Sequence, residues 1–63
     1  MKRQEVMYIG FESWKQLLLK KYSEVRFQGD NLNTKATIRV NNMGCIKTVG
    51  RYDHSEMRAV IYD

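Results

Sequence analysis

The chain has 63 residues, 43 % of them hydrophobic and 29 % charged, and its 11 Lys and Arg outnumber its 7 Asp and Glu to give a net charge of +4. A chain this short holds at most one domain, which buries only about 60 % of the surface its unfolded form exposes, so its stability is expected to be a few kcal/mol. The composition excludes intrinsic disorder, collagen-like chains and coiled coils.

Cys45 is the single cysteine. It cannot staple its own chain, which excludes the disulfide-rich secreted class, and it is expected to be a small buried hydrophobe. Lys2 and Arg3 mimic the start of a signal peptide, but Gln4, Glu5, Gly10 and Glu12 interrupt the apolar stretch that such a signal needs. The longest aliphatic run is Leu17, Leu18 and Leu19, far short of the roughly 20 residues of a membrane span. The expected location is the cytoplasm, with no membrane partner.

In chain order, residues 5–9 are β-branched and aromatic and predict a short strand ended by Gly10. Phe11, Trp14, Leu18 and Tyr22 then recur at spacings of one helix face, with Leu17 widening the stripe. Ser13 with Gln16 fits a capping box, and Gly10 is the other candidate cap. Lys20 and Lys21 suit the negative end of the helix dipole. Residues 25–28 alternate as a second strand, and Gly29, Asp30 and Asn31 are turn chemistry. Residues 35–40 form the clearest strand, with Ala36, Ile38 and Val40 on one face and Lys35, Thr37 and Arg39 on the other. Asn41, Asn42, Met43 and Gly44 signal a hairpin turn into a partner strand over 45–49. Gly50 is expected to weaken or bend that strand, and 51–55 to form a connection. Residues 57–62 close the chain as a strand, with either Met57, Ala59 and Ile61 or Val60 and Tyr62 facing inward. No proline or Ser/Gly-rich linker intervenes, so 1–63 is read as one small domain. The recurrence of Tyr52-Asp53 as Tyr62-Asp63 is too short to be a repeat.

The order β-α-β-β-β-β predicts an α+β fold: a small, mainly antiparallel sheet of 3–5 strands with one amphipathic helix on one face. Such a sheet leaves its other face to water or to a partner. Lys35 and Arg39 belong to that face, and Lys47, Arg51 and Arg58 on neighbouring strands extend the patch. Rows of cations suit the phosphates of a nucleic acid, and Tyr52 and Tyr62 are candidate stacking platforms. The same residue types also suit an ordinary solvated sheet face.

Other chemistries find less support. Cys45 with His54, oriented by Asp53, is the only nucleophile–base set, and so short a chain leaves little material for a substrate pocket. A core cysteine and an exposed loop histidine are expected instead. One Cys and one His fall short of a zinc site, and Asp30, Asn31 and Asn33 lack the spacing and closing Glu of a calcium loop. There is no phosphate-binding or dinucleotide motif, and no cofactor is expected.

The expected function is therefore a small, basic, non-enzymatic module that binds nucleic acid through Lys35, Arg39, Lys47, Arg51, Tyr52 and Arg58. The alternative is a regulator or inhibitor of the single-domain type made by viruses and mobile elements. It would bind a protein, an acidic one included, through an edge strand or aromatic patch, and a homodimer would ease its stability problem. Tyr8, Tyr52, Tyr62 and Leu19 fit the core and an interface equally well, and an exposed Leu19 would mark a partner or self-association surface.

Overall fold

The computed structural model describes residues 4–62. Lys2, Arg3 and Asp63 lie outside them. The elements are β1 (Gln4–Tyr8), α1 (Phe11–Lys21), β2 (Arg26–Gly29), β3 (Asn33–Arg39), β4 (Ile46–Asp53) and β5 (Arg58–Tyr62). The strands form one antiparallel sheet in the order β1-β5-β4-β3-β2, and α1 packs on one face of it. This is the expected α+β arrangement. No described helix is long and apolar enough to cross a membrane.

Strand spacing explains the topology. β1 and β2 are the two edges of the sheet, four spacings of about 4.8 Å apart. The 11 residues of α1 rise about 16 Å and, with the link at 22–25, carry the chain from one edge to the other. From β2 onward it returns by three hairpins. Each is tied by a carboxylate or amide that accepts backbone N–H groups inside its turn. Asp30 Oδ1 accepts from Leu32 and Asn33 at 2.8 and 2.9 Å. Asn41 Oδ1 accepts from Met43 at 2.9 Å, and Gly44 closes that turn at φ 82°. Asp53 Oδ1 accepts from the Ser55 hydroxyl at 2.7 Å and from its N–H at 3.0 Å.

Gly10 caps α1 without any side-chain cap, so the Ser13–Gln16 capping box does not form. Glu12 pairs with Lys15 at 3.3 Å instead. Trp14 and Leu18 are fully buried, and Phe11 and Tyr22 flank them at half burial. Leu17 and Leu19 stay partly exposed at the sides of the stripe. The Trp14 ring lies 5.4–5.7 Å from those of Phe11, Phe27 and Tyr52, and its Nε1–H donates to the Val60 carbonyl at 3.1 Å. Burial of such a ring with its polar end satisfied is the largest apolar contribution available to a core of this size.

Gly50 lets the helix descend this far. A methyl group there would lie 2.9 Å from the Val60 carbonyl oxygen, 3.2 Å from Leu18 Cδ1 and 3.3 Å from Trp14 Cζ2. The strand does not give way to a connection after Gly50, because β4 runs on to Asp53 and 51–53 is strand. The irregularity is a bulge instead. Ala36 pairs with Gly50 but Thr37 pairs with Thr48, which leaves Val49 as an extra residue. Val49 and Gly50 both turn toward the helix, and Val49 is fully buried.

Three smaller expectations also change. Ala59 and Ile61 are the inward pair of β5, whereas Met57 sits in the preceding turn at φ 53° and is exposed. Val40 falls beyond β3 and is exposed as well. Cys45 is exposed, because it lies in the hairpin turn ahead of β4, past the end of the helix-covered core.

Replacing Gly50 by alanine would force the helix away from the sheet, since two of the three neighbouring groups belong to a packed core and the third is backbone. Gly50→Ala is expected to cost about 1–3 kcal/mol, the range of overpacked cores, read as a lower urea midpoint at unchanged slope. A midpoint equal to that of the parent would show that the approach is not tight.

Candidate nucleic-acid interface

Side chains alternate along a strand, and directly paired residues share a face, so the register assigns the uncovered side of the sheet. One row runs Gln28, Lys35, Arg51, Val60, Val6 across all five strands. Toward one end lies Asn33, Asp53, Arg58, Tyr8. Toward the other lie Arg26, Thr37, Thr48 and then Arg39 with Ile46. Arg26, Lys35, Arg39, Arg51 and Arg58 therefore share the open face. Asp53 is the one carboxylate that the described strands place there.

The expected cations divide in two ways. Lys35, Arg39, Arg51 and Arg58 stand on the open face. Lys47 does not: it pairs with Ile38, which packs against the core, so it belongs to the helix side. The bulge at Val49 shifts the alternation of β4 by one residue and turns Lys47 over, an effect that a flawless period-2 count across 45–53 misses. Arg26 takes its place. The alternation at 25–28 already puts it opposite Phe27, whose ring lies against Trp14.

Tyr52 is a correction of another kind. Only 2 % of it is exposed, its hydroxyl donates to the Ile9 carbonyl at 2.9 Å, and its ring packs on Phe11 and Trp14. It has no free face for a base. The exposed aromatic surface belongs to Tyr8, which is 72 % exposed, and in part to Tyr62. Tyr62 lies on the open face with Val60, and Tyr8 with Val6, by strand alternation.

The cations differ in their surroundings. Arg58 lies 3.8 Å from Asp53 and 3.9 Å from Glu56, so its charge is shared with acids. Among the described residues no carboxylate pairs with Arg26, Lys35, Arg39 or Arg51. Lys35 and Arg51 are direct cross-strand partners, an arrangement of like charges that destabilises a sheet. A recess of about 250 Å³ opens beside them, lined by Gln4, Val6, Arg51, Arg58, Val60 and Tyr62 among others. At the far end Leu19, which is 44 % exposed, shares a recess with Val25, Ile38 and Ile46, with Arg26 and Arg39 at its rim.

The cysteine–histidine pair does not assemble. Cys45 and His54 flank opposite ends of β4, roughly 30 Å apart along an extended strand. His54 is packed rather than exposed: its Nε2 is 2.8 Å from Thr34 Oγ1 and its ring 4.6 Å from that of Phe11. Among the described residues no three His, Cys, Asp or Glu side chains converge as a metal site would require.

Two carboxylates carry a pH dependence. Backbone N–H groups of Asn33 and Leu32 hold Asp30 below the ordinary value of 3.8. Hydrogen bonds from the Ser55 hydroxyl and then the Ser55 and Glu56 N–H groups, with Arg58 nearby, do the same for Asp53. A depressed folded-state pKa gives stability that is present above the unfolded value and lost as pH falls through the folded one. The melting temperature is therefore expected to fall as pH drops below about 3.8, and less so in Asp30→Asn and Asp53→Asn, measured by circular dichroism at pH 6 and pH 3. An equal fall in the variants would mean that other groups govern acid unfolding.

The chain matches no family model, no curated protein and no solved structure.

Proposed function

We propose that this protein is a non-enzymatic module that binds nucleic acid through the open face of its sheet, in the reducing cytoplasm. The observation that carries the reading is the set Arg26, Lys35, Arg39 and Arg51, exposed on one face with no described carboxylate paired to them. The cross-strand pair Lys35 and Arg51 adds weight, because a phosphate between the two would remove their mutual repulsion. Lys47 is no part of this face, and Arg58 contributes with its charge partly neutralised.

Fluorescence anisotropy with DNA and RNA at several salt concentrations tests the reading. Four phosphate contacts give a slope of log K against log salt of about −3 to −4. Lys35→Glu separates binding from stability. It converts a like-charged cross-strand pair into an opposite-charged one, so the fold is expected to gain up to about 1 kcal/mol while binding weakens at least tenfold for all sequences alike. No binding in the micromolar range at low salt would end the proposal.

A second reading, a protein-binding module that self-associates, rests on β1. This edge strand has no Lys, Arg or Pro and no described bulge to discourage pairing, and it exposes Val6 and Tyr8. The opposite edge, β2, is shorter and carries Arg26. Sedimentation velocity decides it: a dimer that Val6→Lys dissociates supports pairing through β1, and a monomer at high micromolar concentration removes it.

A further inference from the structure

The open face is chemically divided. Arg26, Lys35, Arg39 and Arg51 occupy β2, β3 and β4, whereas β5 and β1 present Val60, Tyr62, Val6 and Tyr8, with the acid-paired Arg58 beside Tyr8 as the one cation of that half. The recess of about 250 Å³ lies across the seam, with Arg51 on its cationic side and Val6, Val60 and Tyr62 on the other. That volume falls below the roughly 300–1,000 Å³ of pockets that enclose whole small molecules. Its polar lining holds Gln4, Asn33, Arg58 and the Asp53 carboxylate paired to it, donors and acceptors able to meet the hydrogen-bonding edge of a base.

A duplex would use only half of this surface. It offers phosphates to the cations, but its bases are stacked on each other and have no ring face left for a tyrosine. A single strand offers both: its backbone to the cations, and unstacked bases to aromatic rings. Arg51 and Val60 are direct cross-strand partners, one spacing of about 5 Å apart, so a nucleotide held at Arg51 borders the recess. Tyr8 lies farther out on the same face, at the edge strand, and its 72 % exposure leaves the ring free.

We infer that the open face takes single-stranded nucleic acid, with the backbone along Lys35 and Arg51 and bases against Tyr62 and Tyr8. This rests on the nucleic-acid reading of the same face. The occupant follows from charge on one half of the face and from ring chemistry on the other.

The test compares a short labelled single strand, as DNA and as RNA, with the duplex of the same sequence. The proteins are the parent, Tyr8→Leu, Tyr62→Leu and Tyr8→Phe, each checked for folding by its melting curve. The single strand is expected to bind at least tenfold more tightly than the duplex. Each leucine variant should lose roughly 5- to 100-fold in single-strand affinity, with duplex affinity changed less than twofold, and Tyr8→Phe should bind like the parent. Tyr8 makes no core contact, so its variants give the answer even where Tyr62→Leu lowers stability. Equal or tighter duplex binding, or leucine variants that bind the single strand like the parent, would overturn the single-strand assignment and leave phosphate binding standing. If neither form binds, the underlying reading fails and takes this one with it.

Discussion

The arrangement depends on the seating of Trp14 and Leu18 against the bare backbone of Gly50. The helix stands over the strand that bears no side chain at that point, so Trp14 reaches the Val60 carbonyl with its indole N–H. Glycine inside a strand ordinarily weakens it. Here the lost side chain is replaced by two core residues of the helix, and the adjacent bulge adds Val49 to the same side. The bulge thus sets Val49 beside Gly50 beneath the helix and turns Ile46 outward.

The same bulge decides what faces outward. Without the extra residue, the N-terminal half of β4 would be flipped: Lys47 would join the open face, and Ile46 and Thr48 would turn to the helix side. With it, Lys47 is removed, and the open-face cations of β4 reduce to Arg51, directly beside Lys35. Core packing at Val49 thus sets the spacing of charge on the opposite side of the sheet.

Much of this was legible in residue order. The helix stripe at Phe11, Trp14, Leu18 and Tyr22 appears as read, and the alternation holds for Lys35, Ala36, Ile38 and Arg39, whereas Val40 lies exposed beyond β3 and Thr37 is buried on the opposite side from the helix. What the order of residues could not convey was where a period slips. A bulge has no signature beyond a glycine, and Gly50 also fits a strand end, so the extent of β4, the side taken by Lys47 and the burial of Tyr52 were all missed together. Cys45 and His54 exchanged their expected environments for a related reason. Burial depends on the reach of α1, which covers the His54 end of β4 through Phe11 and stops short of the Cys45 end.

The acidic residues show how a modest excess of positive charge becomes concentrated. Asp30 and Asp53 are engaged by backbone N–H groups in hairpin turns, and Glu12 pairs with Lys15 on the helix. Turns need acceptors to satisfy N–H groups that no ladder reaches, and a carboxylate fills that role well. The fold thus draws Asp30 to a loop and Glu12 to its covered side. Asp53 is the exception that lies at the border, and it offsets Arg58, the cation nearest to it. Among the described residues the remaining four cations form no ion pair with a carboxylate. Net charge alone would spread weakly over the surface. The demand of the turns for acceptors helps to leave Lys35 and Arg51, on the adjacent strands β3 and β4, without a described carboxylate paired to them.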